Sequence, residues 1–401
     1  MWFFPIFLAV VASYIIQMIL YKKYVFNDFE YSVKLNVSEV FINDDIFLYE
    51  EISNNKNLPL PCVKIDTELP EGMQFCLMEV DNKGAVKKTL YQQHTQSVFV
   101  LANYQKIKRR WRVTCRKRGT YHLGSVLVVA NDLFGFNSHS KRYEITPTKY
   151  NELVVLPKII DIDDNFTSAF YHNGDIPVTR SLLTDPLKMC GMRDYTPFDP
   201  MNKINWKSTA VHNKLMVNVE EYTERHHFNI IMNMNSRDIE RNPDTPSVPE
   251  YIELCISVCA SILDIISSEN IPARFITNTP PELIKGDCIS DDETGKKILI
   301  SKPFRGKFET INALRLLASL QYKISCPVEQ MLDHIVKNPF LYTNSGNIIF
   351  VSTYISERMI IFHDILKKSG VKVAFFIMST NQNAMDIPDD IEIYYKNELF
   401  L

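Results

Sequence analysis

Glycine is scarce in this chain, at 12 of 401 residues. Few loops can then cradle a phosphate, and no GxGxxG or GxxxxGK[ST] run occurs, which argues against a nucleotide-binding role. Charge of one sign is also missing: 44 Lys and Arg stand against 47 Asp and Glu. A dedicated nucleic-acid binder is clearly basic, so nucleic acid is not an expected partner. No CxxC is present, and the cysteines at Cys62, Cys76, Cys115, Cys190, Cys255, Cys259, Cys288 and Cys326 are scattered, mostly among apolar residues. Cys255 and Cys259 lie four apart on an expected helix, where both can face a core. Reduced, buried thiols fit a cytoplasmic body. None of the nine histidines has a spaced partner for zinc or a Ser or Cys in a nucleophile turn. Asp161, Asp163 and Asp164 lack the Gly and closing Glu of a calcium loop. The chain is therefore not expected to be an enzyme, and no cofactor, metal or small-molecule substrate is expected.

What the chain does have begins at its first residues. Trp2 to Tyr21 is an uncharged run close to the length that crosses a hydrocarbon core of about 30 Å. Its only basic pair, Lys22-Lys23, follows the run rather than preceding it, which is the pattern of an anchor and not of a cleaved leader. The expectation is a single pass through the cell membrane by residues 1–21. The positive-inside rule then puts the bulk of the chain in the cytoplasm.

Residues 29–157 read as short alternating strands broken by turns, the pattern of a β-sandwich-like domain. Expected strands include Tyr31 to Val37, Ile46 to Ile52, Val63 to Leu69, Phe75 to Val80, Val98 to Leu101, Arg110 to Cys115 and Ser125 to Val129. The run Leu58-Pro59-Leu60-Pro61 reads as a turn. Eight of the thirteen residues from Lys106 to Arg118 are basic. Alternation puts Arg110, Arg112, Thr114 and Arg116 on one face and Trp111, Val113 and Cys115 on the other, so the plain reading is a solvated face over a core face. An anionic membrane surface is the functional alternative, because the anchor is near.

Residues 158–190 read as a polar linker, and residues 191–222 as a shaped connector. Pro197 and Pro200 stiffen Asp194 to Pro200, while Ile204, Trp206, Leu215, Val217 and Val219 suggest short buried strand pieces. From residue 226 to 401, strands and helices alternate. Phe228 to Met234, Ala273 to Thr277, Asn347 to Ser352 and Val371 to Met378 are expected strands, and an apolar stripe from Ile252 to Ile266 marks a helix. This is a doubly wound sheet, making the chain α+β overall. Ligands in such sheets bind beyond the carboxyl ends of strands, a crevice formed here by Asn233, Asn235, Ser236, Ser352 and Thr353.

The stretch GMRDYTPFDPMNKINWKSTAVHNKLMVNVEEY, Gly191 to Tyr222, is similar in order and residue type to the signature of the bacterial domain-of-unknown-function family fifty-eight. Arg118-Gly119-Thr120-Tyr121 and Asn131 to Gly135 resemble other segments of it. The resemblance implies a membrane-anchored protein with a von Willebrand factor A-like C-terminal domain, working beside a MoxR-type AAA+ ATPase. Members usually carry two adjacent N-terminal spans, where this chain shows one. The signature then implies a partner-binding segment carrying Arg193, Asp194, Tyr195, Asp199, Trp206 and Lys207, with Trp206 and Arg193 as anchors. A metal-binding von Willebrand A domain presents Asp-x-Ser-x-Ser after its first strand; this chain reads Asn233-Met234-Asn235-Ser236-Arg237. The carboxylate is lost and an Arg replaces a hydroxyl, which opposes a cation. The expected function is an interaction or adaptor protein for assembly or maturation of a membrane or envelope complex. The alternatives are an extracytoplasmic metal-dependent binding or adhesion module, and a hydrolase using Asp194 and Asp199.

Overall fold

An apolar helix, α1 (Phe3–Tyr24), opens the computed structural model. The structure describes residues 3–80, 86–132, 135–145, 151–162, 184–196, 201, 204–212, 214–222, 228–235, 249–268, 271–280, 288–289, 298–338, 347–378, 388 and 391–395. Two units form: residues 1–158 with Leu314–Leu320, and Ile159–Ala313 with Gln321–Leu401.

In the first unit α1 is followed by β1 (Phe29–Leu35), β2 (Glu39–Phe41), β3 (Asp45–Asn54), β4 (Leu60–Glu68), β5 (Met73–Val80) and β6 (Val86–Gln92). Next come β7 (His94–Leu101), β8 (Lys106–Cys115), β9 (Gly119–His122), β10 (Ser125–Asn131), β11 (Ser138–Glu144) and β12 (Glu152–Leu156). They build a five-stranded sheet ordered β1-β3-β8-β5-β6, a four-stranded sheet β11-β10-β4-β7 and a small sheet β2-β12-β9. Every pairing in the two larger sheets is antiparallel. Their inner faces meet: Phe29 and Ile52 share one buried cluster with Val63, Ile65, Val126 and Val128. Sheet packs on sheet, as the alternation predicts.

The structure corrects two details of the sequence reading and adds a third. Pro61 lies inside β4 and not in a turn; the register shifts between Leu60 and Val63, and such an irregularity accommodates a residue without an amide hydrogen. The helix runs past Tyr21 to Tyr24, and Tyr21 does not face outward. Tyr21 and Val25 are both 1% exposed and belong to the sandwich core, and the Tyr21 hydroxyl donates to Pro59 O at 2.6 Å.

The basic strand β8 pairs along its length with β3, and β3 supplies the balancing acids. Lys106 and Lys108 both meet Glu51, at 2.7 and 3.0 Å, and their hydrogen bonds hold its carboxyl down at about 2. Arg112 pairs with Asp45. Glu50 is fully buried, accepting from Trp111 Nε1 at 2.9 Å and from Arg109 Nη2 at 2.7 Å. Arg109 is also held between the rings of Phe99 and Trp111. Lys106, Lys108, Arg109 and Arg112 are thus paired with acids of the sandwich, while Arg110 is exposed and lies over the Phe47 ring.

In the second unit β13 (Thr184–Asp194), α2 (Trp206–His212) and β14 (Met216–Tyr222) come first. Then follow β15 (Phe228–Met232), α3 (Pro249–Ser268), β16 (Ala273–Thr277), β17 (Cys288–Ile289), β18 (Leu299–Ser301), α4 (Gly306–Ser319), α5 (Val328–Lys337), β19 (Asn347–Ser352), α6 (Glu357–Lys368), β20 (Lys372–Ile377) and β21 (Glu392–Tyr395). A seven-stranded sheet runs β17-β18-β16-β15-β19-β20-β21, parallel from β16 to β21 with β17 and β18 antiparallel at one edge. On one face Ile231, Ile276, Phe350 and Phe375 pack against Met331 and Leu332 of α5 and Met359 and Phe362 of α6. The helix α3 lies against β15, β16 and β19, with Cys255 and Cys259 fully buried. The apolar runs of β15 and β19 are buried because both faces are covered.

Removing one partner of a buried ion pair leaves the other charge uncompensated. Glu50→Ala is expected to lower unfolding stability by about 3–5 kcal/mol, measured by denaturant titration of the full chain. A change within experimental error would show that Arg109 finds other partners.

Candidate functional site

The signature segment is a hairpin carrying a helix. β13 and β14 pair antiparallel, setting Arg193 opposite Val217 and Asp194 opposite Met216, and the Tyr195 amide donates to Leu215 O at 2.9 Å. Part of the expected linker, from Thr184 on, is therefore strand. Between the strands Asn205 caps α2: its Oδ1 accepts from the Ser208 amide at 3.1 Å. Thr209 ties the helix back to the hairpin, accepting from the Met216 amide at 3.0 Å, and Asn205 N donates to Met216 O at 2.8 Å. Ile204 bridges to Val217, and both are buried.

Trp206 departs from the expectation of a buried strand piece. It is the first residue of α2 and is 68% exposed, and Leu215 is also exposed. The helix cap puts position 206 at the outer start of the helix, where its ring makes no core. Met192, Met201 and Val211 are exposed large apolar residues of the same short segment. Lys207 and Asp194 are exposed, and Tyr195 is partly buried. Asp199, with Pro197, Pro200 and Lys203, lies outside the described residues, so the expected pairing of Asp194 with Asp199 does too.

The strand-end residues gather into one buried network. Asn233 follows β15, and its Nδ2 donates to Ser352 Oγ at 3.1 Å. Asn233 Oδ1 accepts from the Asn235 amide at 2.9 Å, and Thr353 Oγ1 donates to Asn235 O at 3.1 Å. At the centre is Asn278, beyond the end of β16. Its Oδ1 accepts from the Met234 amide at 2.9 Å, while its Nδ2 donates to Asn235 Oδ1 and to Cys326 O at 3.0 Å. Asn233, Asn278 and Ser352 have no exposed surface. Ser236 lies outside the described residues.

This arrangement has amide and hydroxyl oxygens but no carboxylate, and the amides are satisfied by one another. Such a network fixes the loops at the carboxyl end of the sheet, a structural task. Among the described residues no three His, Cys, Asp or Glu side chains come together. Sequence reading grouped Asn233, Asn235, Ser352 and Thr353 as a ligand crevice at the strand ends; the structure joins them in a hydrogen-bond network, in which Asn278 was not expected. The signal for it was a polar Thr277-Asn278-Thr279 run directly after a buried strand, where all three residues are fully buried.

No family model matches the chain, and no curated protein matches it. Among solved structures, the CARDB domain of a Pyrococcus furiosus protein is 12% identical, with a TM-score of 0.18, covering 32% of this chain and 96% of that one. A PapD-like domain of human CEP192 is 17% identical, with a TM-score of 0.19, covering 31% and 84%. The sporulation control protein Spo0M of Bacillus subtilis is 9% identical at 0.17, covering 38% and 58%. Likeness at these scores carries no argument for fold or function.

Truncating Asn278 removes both halves of its amide and leaves the Met234 amide and Cys326 carbonyl without it. Asn278→Ala is expected to cost about 3 kcal/mol, read as a fall in melting temperature of the full chain. An unchanged melting temperature would contradict the central place given to this residue.

Proposed function

We propose that the chain is a membrane-anchored adaptor that captures a partner protein through the β13-α2-β14 hairpin. The observation that carries this reading is Trp206, a large aromatic residue held outside the core by a capped helix. Trp and Arg concentrate binding energy at interfaces, and Trp206 is 68% exposed. Met192, Met201, Val211 and Leu215 supply further exposed apolar surface on the same segment. Arg193 sits on this hairpin as well.

The similarity of the signature to family fifty-eight makes a MoxR-type AAA+ ATPase the partner. The sheet order β18-β16-β15-β19-β20-β21, with an antiparallel edge on an otherwise parallel sheet, supports reading the second unit as von Willebrand A-like. The strand-end loop then serves as a metal-free lip, because Asn233 stands where a cation needs a carboxylate and its amide is already committed to Ser352 and Asn235. The adhesion module, which requires that cation, is disfavoured on the same ground. The helix α1 is long and apolar enough to cross a membrane by length and composition, and the reading makes it the anchor, with the body in the cytoplasm.

The test is affinity capture of the detergent-solubilised protein from its own cells, with and without ATP, for wild type and Trp206→Ala. An AAA+ ATPase is expected with the wild type in a nucleotide-dependent amount. A hot-spot Trp contributes about 2 kcal/mol or more, so the variant is expected to lose about tenfold or more of that recovery, with its melting temperature unchanged. Absence of the ATPase from the wild-type sample, or a marked loss of melting temperature in the variant, would overturn the reading.

A further inference from the structure

We propose that the outer face of the β1-β3-β8-β5-β6 sheet is a docking surface for an acidic, extended segment of a partner protein. The surface belongs to the first unit alone, whereas the hairpin belongs to the second.

The face follows from strand alternation. Val33, Leu48, Phe75 and Val113 are buried in the sandwich, so their neighbours along each strand point outward. Register then sets the outward side chains in rows across the sheet. Lys34 stands opposite Tyr49, and Tyr49 opposite Arg110. In the adjacent row Phe47 stands opposite Arg112, and Cys76 opposite Tyr91. Tyr49 and Tyr91 are both exposed. Cations and rings therefore alternate over one pleated surface.

Two of the cations are positioned by rings. The Arg110 guanidinium lies 4.8 Å from the centroid of Phe47, and that of Arg116 lies 4.5 Å from the centroid of Tyr91. A guanidinium held over a ring is fixed in place while its N–H groups stay available. Among the described residues Lys34, Arg110 and Arg116 have no acid partner. Asp45 is engaged by Arg112, and Glu51 by Lys106 and Lys108. Only Glu30, among the described acids of this face, is left to set against those three cations.

That remainder of positive charge selects the occupant. The N–H fork of an arginine matches a carboxylate. Lys34 and Arg110 lie two strands apart, about 10 Å, with Tyr49 between them. Residues three apart in a polyproline II segment face the same way at a spacing of about 9 Å, so acids at every third position fit. Nucleic acid fits less well, because Phe47 and Tyr91 already carry a cation where a base would stack. A continuous layer of lipid phosphates would meet Glu30, Asp45 and Glu51, whereas a protein segment can place neutral residues over them.

The experiment uses the full chain in detergent micelles and a fluorescein-labelled peptide of repeated Glu-Pro-Pro, read by anisotropy beside its Gln-Pro-Pro counterpart. The acidic peptide is expected to bind and the Gln peptide to remain free. Arg110→Gln with Arg116→Gln is expected to weaken binding by about tenfold or more. Lys141→Gln with Arg142→Gln removes the same charge from exposed positions on β11 of the other sheet, and is expected to leave binding unchanged. Absence of binding by the acidic peptide, or an equal loss in the two variants, would overturn the docking surface. Tighter binding of a labelled thymidine oligonucleotide, or displacement of the peptide by phosphatidylglycerol mixed into the micelles, would overturn a protein segment as the occupant.

Discussion

The end of α1 is buried in the β-sandwich, and that seating governs the first unit. Tyr21 reaches Pro59 O, Val25 joins the core of Ile52, Leu60 and Leu101, and Lys56 Nζ donates to Asn27 O at 2.7 Å. Burying Tyr21 and Val25 fixes the helix axis relative to the sheets. A membrane-proximal domain on a free tether needs no such contacts. Here the helix leaves the sandwich at a set angle.

Burial also separates the two places that sequence marked for function. The strand-end asparagines and Ser352 are turned toward one another, so their polar groups hold loops together and leave no lone pair facing outward in a row. The signature hairpin does the reverse. Its backbone is pinned by Asn205, Thr209 and the Ile204 bridge, while Trp206, Val211 and Met201 remain in solvent. The proposed recognition surface is therefore the hairpin. The crevice provides shape.

The legible parts of the sequence were those where one strong pattern decides. Largely apolar runs located β15, β19 and β20 to within two residues, even though β15 carries the buried Asn229. The sheet-on-sheet pattern and most of the two faces of β8 were likewise readable from alternation, but Thr114, expected on the solvated face, is buried where its hydroxyl donates to Asp45. The illegible parts depend on distant partners. β9 and β11 are short or polar edge strands whose identity comes from pairing with β12 and β10. Trp206 was read as a buried strand piece because hydrophobicity alone does not show that it begins a helix, where it is exposed. Asn278 was missed because its role needs Met234 and Cys326, 44 and 48 residues away.

The proposed function rests on α1 anchoring the chain in a membrane, with the rest of the chain in the cytoplasm. Its most direct test is protease treatment of intact cells and of permeabilised cells, followed by detection of the chain in the membrane pellet after carbonate washing. The account predicts a protein that stays in the pellet, survives protease in intact cells and is digested once the membrane is opened. Digestion in intact cells, or release into the carbonate wash, would contradict it.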